Sequence, residues 1–286
     1  MKIGCHVSIA GGIEKAVVRA KSLGINTIQI FSKNSLTWQE RYYTKIEITN
    51  FQKALQKTDI YPVFIHASYL INLASPDDKI YFKSINAFLE EMKRAEMLLV
   101  NSGSSYLIVH PGAHRGFGEE YGLQRIIKAL KIILKQTSSL KLSTMILLEN
   151  TSGSGSSLGY TFSHLGYIMR ETGCPPNIGI CLDTCHAFAA GYNLAEEKGI
   201  EDTLTELEKE INWSKLKVIH LNDSKYNLNS KKDQHMHIGE GFIGLKGFSM
   251  LVNHQAIRDL PFMLETPKRS EEDDRRNISI IRRLRK

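Results

Sequence analysis

The sequence predicts an α/β chain closed into a (β/α)8 barrel of the TIM type, a single domain over residues 1–286. Three observations predict it. Eight short apolar runs alternate with longer amphipathic stretches, the pattern of repeated βα units. The runs are apolar throughout, as in parallel strands covered on both faces, and eight is the number that closes a barrel. No linker, low-complexity block or shift of composition divides the 286 residues, a length that suits one barrel of roughly 250 residues.

The first run, KIGCHVS, leads into GIEKAVVRAKSLG, whose Ala, Val and Leu recur at helical spacing up to Gly24, where a C-terminal glycine cap is expected. NTIQIF is second, followed by the helical EITNFQKALQKT. After the third run, YPVFIH, a helix is expected to begin at Asp77–Asp78 behind Pro76 and to end at a second glycine cap, Gly103. SYLIVH precedes the helical EEYGLQRIIKALKIILKQ, and TMILLE precedes TSGSGSSLG, a biased segment of βα-loop length. IGICLD, LKVIHL and PFMLET complete the eight. In the tail, Ile278, Ile281 and Leu284 stand at helical spacing with acids before bases, matching a final helix whose charges complement its dipole. A doubly wound open sheet is the alternative; no Gly-x-Gly-x-x-Gly turn follows a strand, which weighs against a dinucleotide-binding version.

Hydrophobic residues make up 42% of the chain and charged residues 23%, the ordinary balance of a soluble globular protein. No apolar run approaches the roughly 20 residues of a membrane span. MKIGCHVSIAGG lacks the features of a secretory leader, so a cytoplasmic location is expected. Cys5, Cys174, Cys181 and Cys185 are too few and too unevenly placed for a disulfide framework and are expected to be free. A net charge of +7 suits a polyanionic partner through counterion release, and equally suits solubility alone.

Six runs finish at, or one residue beyond, a residue able to bind a cation: His66, His110, Glu149, Asp183, His220 and Glu265. In a parallel barrel the C-terminal strand ends form one rim, so these six converge. A single histidine at a strand end is usually a hydrogen-bonded rim residue. Three carboxylates brought together are costly unless cations neutralise them. Mixed His and Asp/Glu donors favour zinc, with manganese or iron as alternatives. Asp183-x-x-His186 and Asp233-x-His235 lie just beyond strand ends and bring the set to five histidines and four carboxylates, too many for one tetrahedral ion. Cys181, two residues before Asp183 on the same strand face, reads as a small apolar filler. Cys185 lacks the spacing and the partner cysteines of a structural zinc site.

With these residues assembled, the chain resembles the endonuclease IV family of apurinic/apyrimidinic endonucleases, metal-dependent enzymes of DNA repair. GCHVSIAGG, HASYLINLASP, VHPGAH, LLENTSGSGSSLG, IGICLDTCHAFAAGY, VIHLNDSK, DQHMHIGEGFIG and LETPK carry the resemblance from end to end. It implies three zinc ions per chain: one on His66, His110 and Glu149; a second on the bridging Glu149, Asp183, His220 and Glu265; a third on His186, Asp233 and His235. Manganese or iron could substitute. It also implies cleavage 5′ to an abasic deoxyribose in duplex DNA, leaving a 3′-hydroxyl and a 5′-deoxyribose phosphate, with trimming of blocked 3′ ends. Glu149 would orient the attacking water. A missing base cannot itself be read, so such enzymes bend the duplex, flip the lesion and fill the gap. Tyr69 and Leu70 occupy positions that enter the minor groove, although rim packing is the plainer reading of Leu70. Leu36 departs from the family where an arginine often pushes into the base stack: it can wedge but cannot neutralise phosphate. His237, an added imidazole, reads as a loop residue. Lys33, Asn34, the HPGAHRGFG loop and the Ser-rich loop after Glu149 are expected against phosphates. A monomer is expected.

Two other readings fit parts of the pattern. Sugar isomerases and epimerases on metal-dependent barrels also ring a substrate with His, Asp and Glu, so the fold alone does not decide; they need one or two ions, not three. A non-catalytic damage-binding protein would hold abasic DNA without nicking it.

Overall fold

The computed structural model describes residues 1–99 and 105–286. In chain order the elements are β1 (Ile3–His6), α1 (Glu14–Leu23), β2 (Thr27–Phe31), α2 (Lys45–Gln56), β3 (Val63–His66), α3 (Asp78–Leu99), β4 (Tyr106–Val109), α4 (Glu119–Ser139), β5 (Met145–Glu149) and α5 (Phe162–Glu171). They continue with β6 (Ile178–Asp183), α6 (Thr184–Ala190), α7 (Glu197–Ile211), β7 (Leu216–His220), β8 (Asp223–Ser224), β9 (His235–Met236), α8 (Gly244–Asn253), β10 (Phe262–Leu264) and α9 (Glu271–Leu284). Every apolar run of the sequence supplies a barrel strand. The order around the closed barrel is β1-β2-β3-β4-β5-β6-β7-β10, and all pairings are parallel.

Helix boundaries follow local chemistry. Gly24 ends α1 in the left-handed region (φ 64°), a conformation only glycine adopts without steric cost. Thr44 and Glu47 form a reciprocal capping box on α2, and Ser270 and Asp273 do the same on α9. The Asp77 carboxylate receives the Lys79 and Ile80 N–H groups and so starts α3 as expected. Gly103 lies outside the described residues. On α9, Ile278 and Ile281 are buried, four acids occupy the first turn and Arg282 and Arg283 the last. No helix among the described residues is long and apolar enough to cross a membrane.

Two apolar layers fix the barrel. The outer one lies between strands and helices and holds most of the Ile, Leu, Val and Phe. The inner one is a floor of six fully buried side chains: Phe64, Ile108, Leu147, Cys181, Val218 and Met263. Each of the larger ones contributes ~1.5–3 kcal/mol by leaving water. Cys181 is thus a filler one layer below the rim. Two features go beyond the sequence expectation. A short helix, α6, follows β6 without a loop, capped by Asp183, and a small antiparallel hairpin, β8–β9, stands over the barrel mouth after β7.

Candidate metal centre

Side chains two apart on a strand share a face, so each floor residue predicts a rim residue above it. Phe64, Ile108, Leu147, Cys181, Val218 and Met263 give His66, His110, Glu149, Asp183, His220 and Glu265. His66, Glu149, Asp183 and His220 are buried, while His110 and Glu265 are partly open. Glu149 is the hub. Its Oε2 lies 3.1 Å from Nε2 of both His66 and His110, and its Oε1 lies 2.9 Å from Nδ1 of His220. Glu265 Oε2 is 3.3 Å and Asp183 Oδ2 3.9 Å from the same His220 nitrogen.

Four groups of donor atoms among the described residues are each close enough to share one ion: His66, His110 and Glu149; Glu149, Asp183, His220 and Glu265; Asp183, His186 and His235; and Glu149, Cys181 and His220, which overlaps the second and adds a buried thiol. The first two coincide with the sets implied by resemblance. In the third, Asp183 stands with the two histidines, while Asp233 Oδ1 lies 3.1 Å from His186 Nε2 and 4.0 Å from His235 Nε2. Asp183 joins two roles, since its Oδ1 also accepts the His186 N–H at 2.7 Å as the cap of α6.

The hydrogen bonds behind the imidazoles show what the centre is built to hold. A carbonyl can only accept, so a ring nitrogen facing one must donate. Nδ1 of His66 faces Ala67 O at 2.8 Å, Nδ1 of His186 faces Asn150 O at 2.9 Å, and Nδ1 of His235 faces Glu265 O at 3.0 Å. In each neutral ring the lone pair is therefore on Nε2. For His66 and His186 it points at a carboxylate, and for His235 it is buried with no hydrogen-bond partner among the described residues. Lone pairs aimed at carboxylates are repulsive unless a proton or a cation lies between them. Imidazole and carboxylate donors together suit zinc or a similar borderline cation.

Without a cation, protons fill the place. Burial opposes charge on His66, but its hydrogen bond to Glu149 and that carboxylate's charge outweigh burial and raise the imidazole. His186 is raised well above its usual range, burial being outweighed by Asp183 and Asp233. His220 is likewise raised well above its usual range against burial, by Cys181, Glu265 and Glu149; burial pushes the Cys181 thiol itself up to about 12, so the two carboxylates supply the charge. In turn, burial alone would raise Glu149, yet His220 and His110 hold it well below the usual carboxylate range. Asp233 falls to about 2, burial being outweighed by His186. Burial also raises the Cys185 thiol, which disfavours a thiolate at either cysteine.

Four residues that the strand-end pattern passes over complete the site. Gln29 bonds His220, Glu265 and His6. Asn150 accepts the Asp183 N–H at 2.6 Å, and Asn222 donates to Asp183 Oδ2 at 2.7 Å. The signal for His6 and Gln29 was present: they stand two residues beyond Gly4 and Thr27 on β1 and β2, though two before the ends of the runs KIGCHVS and NTIQIF.

Around the mouth, Leu36 is 71% and Tyr69 56% exposed. Asn34 Oδ1 accepts the Leu36 N–H at 2.9 Å, closing a turn that presents the leucine. Tyr69 stands edge-on to Phe31, with ring centroids 5.4 Å apart. Leu70 is half-buried. A groove of about 320 Å³ beside the centre is lined by Tyr69, Leu70, His110, Arg115, Ser152 and Asp233, among others. Lys33 departs from expectation: it is 3% exposed and its ammonium donates to Thr37 O, so its charge is used inside its own loop and is not offered to a phosphate. His237 Nδ1 meets the Asn277 amide of α9 at 3.1 Å, in keeping with a loop role.

A closed parallel barrel whose mouth gathers imidazoles and carboxylates defines an enzyme of the xylose isomerase-like TIM barrel class, and that family's model matches residues 17–285. Within the class, the chain is 45% identical over 286 residues, the whole of both chains, to the probable endonuclease 4 of Halothermothrix orenii. It also superposes on the crystal structure of endonuclease IV from Thermus thermophilus with a TM-score of 0.87 at 32% identity, covering 99% of this chain and 98% of that one. The chain belongs to the endonuclease IV family, and with it to the hydrolases. A D-psicose 3-epimerase from Clostridium cellulolyticum, 14% identical with a TM-score of 0.72 and 99% of both chains covered, shares the fold alone.

Proposed function

We propose that this chain is a zinc-dependent apurinic/apyrimidinic endonuclease of DNA repair, one catalytic domain over residues 1–286. It acts as a monomer in the cytoplasm, nucleoid-associated while engaged in repair. It hydrolyses the phosphodiester bond 5′ to an abasic site in duplex DNA, leaving a 3′-hydroxyl and a 5′-deoxyribose phosphate, and trims blocked 3′ ends. The observation that carries this reading is the convergence of donor sets on Glu149, with the set of Asp183, His186 and His235 beside them, more donors than one ion can use.

In this reading His66, His110, Glu149, Asp183, His186, His220, Asp233, His235 and Glu265 hold three zinc ions, with manganese or iron able to substitute. Bound there, the ions supply Lewis-acid charge for phosphoryl oxygens and bring a water near to ionisation at neutral pH. Glu149 is the catalytic carboxylate: fully buried and held ionised by its histidines, it accepts a proton-bearing neighbour and orients the attacking water. The carbonyl-anchored imidazoles keep their lone pairs inward at no reorganisation cost. Tyr69, Leu70 and Leu36 fill the gap left by the missing base, and Asn34 sets the Leu36 turn. Lys33 supports that loop from within.

The test is a 5′-labelled duplex with one tetrahydrofuran abasic analogue, incubated with zinc-loaded protein. A single cut leaving a 3′ end that a polymerase extends is expected, with elemental analysis giving three ions per chain. An intact strand after incubation with fully loaded protein overturns the reading and favours a sugar epimerase. A tight complex without a cut favours a damage-binding protein.

A further inference from the structure

We infer that Gln29 is the positioning residue that decides which nitrogen His220 offers to the metal centre, and that it makes His220 bind through Nδ1, unlike His66, His186 and His235. The inference rests on the metal centre proposed above.

The argument runs from what each atom can give. An ionised carboxylate has no proton to donate. The Gln29 side-chain atom 2.5 Å from Glu265 Oε1 is therefore the amide nitrogen. That turns the amide oxygen the other way, to 2.7 Å from His220 Nε2. An amide oxygen only accepts, so His220 Nε2 carries the hydrogen. The second amide hydrogen goes to His6 Nδ1 at 3.1 Å. Both N–H groups and the oxygen of Gln29 are thus used. A flipped amide would set oxygen against the Glu265 carboxylate and N–H against the donating ring nitrogen, two repulsive contacts in place of two hydrogen bonds.

A neutral imidazole has one N–H, so the His220 lone pair lies on Nδ1, and Nδ1 is the atom that faces Glu149, Glu265 and Asp183. For His66, His186 and His235 a backbone carbonyl sets the ring. For His220 a side chain sets it, and that side chain also restrains Glu265, a second member of the same donor set. Gln29 is fully buried on β2, in register with Phe64 of β3 and His6 of β1, so it has no room to adopt another arrangement. Partners of this kind behind metal-bound histidines are typically worth about 10- to 100-fold in metal affinity.

The experiment uses the full chain, loaded with zinc and labelled with 15N-histidine. Long-range 1H–15N correlation spectra are expected to show His220 protonated at Nε2 with a metal-shifted Nδ1, and His66, His186 and His235 the reverse. Gln29→Leu is expected to weaken one zinc by about 10- to 100-fold in competition with a chelator, whereas a purely structural role would lower Tm and leave zinc affinity unchanged. His220 ligated through Nε2, or a Gln29→Leu zinc affinity within about twofold of the parent, overturns the inference. Should the variant not fold, the parent's spectrum decides alone. If the parent takes up no zinc, the metal-centre reading fails and this inference with it; if it takes up three ions with His220 bound through Nε2, only this inference fails.

Discussion

Replacing Asp223 with alanine should open the loop behind the β8–β9 hairpin. The buried Asp223 carboxylate accepts the backbone N–H groups of Ser224 at 2.8 Å, Gly239 at 2.9 Å, and Gly241 and Ile243 at 3.0 Å. Alanine leaves these four donors, and the more distant Gly244 N–H at 3.4 Å, without their acceptor. Hydrogen bonds to a charged group contribute ~1.5–3 kcal/mol each, but this loop is partly exposed and water recovers much of that. A net loss of about 1 kcal/mol per bond gives about 4 kcal/mol in all. The deficit belongs to a loop and not to the strands, so it should appear as local opening. At ~1.4 kcal/mol per factor of ten, native-state amide exchange at Gly239, Gly241 and Ile243 should quicken by roughly a thousandfold. Amides of β5, such as Leu147, should keep their protection. Asp223→Asn, which retains one accepting oxygen, should fall between. His235 lies in the same hairpin, so on the metal centre proposed above the ion it would share should also leave faster. Exchange at the three loop amides within about threefold of the parent would refute the reasoning.

Four further outcomes are expected. Glu149→Gln should abolish cleavage of the abasic duplex while leaving the circular dichroism spectrum intact; undiminished nicking would remove Glu149 from its hub role. Zinc affinity should rise with pH, because each ion displaces protons that the raised His66, His186 and His220 hold in the metal-free chain, and calorimetry in two buffers counts them; no proton release at pH 7 would contradict this. The raised histidines stabilise the metal-free fold below the ordinary histidine range and lose that contribution as pH rises through their raised pKa values, whereas the depressed Glu149 and Asp233 contribute above the ordinary carboxylate range and lose it only as pH falls through theirs. Metal-free Tm should therefore hold through mildly acidic pH and fall on the alkaline side, and zinc should remove that fall. Leu36→Arg should tighten binding to abasic duplex, steepen the slope of log K against log salt by about 0.9, and leave Tm unchanged, since Leu36 is exposed; an unchanged slope would place that loop away from the DNA.

The rim was legible because the barrel imposes a count of two from filler to donor, and Phe64 to His66 or Leu147 to Glu149 obeys it. The apolar runs also located all eight barrel strands, since buried parallel strands leave an unbroken apolar trace. Gln29 escaped because an amide is not among the usual zinc donors and NTIQIF ends in Phe31. Lys33 misled for a related reason. Its charge suggested phosphate, but only the folded loop reveals that Thr37 O takes its ammonium. The β8–β9 hairpin has strands of two residues, too short for any period to register, and it forms because Asp223 gathers distant N–H groups.

The buried floor of Phe64, Ile108, Leu147, Cys181, Val218 and Met263 fills the barrel one layer below the rim. The rim donors are therefore approached from the mouth, the side of the strand C-termini. On the function proposed above, a duplex seated across the barrel mouth would act as a stopper: while it stayed, a chelator in solution could not reach the metals, and the nicked strand would have to depart before the centre could be emptied or refilled.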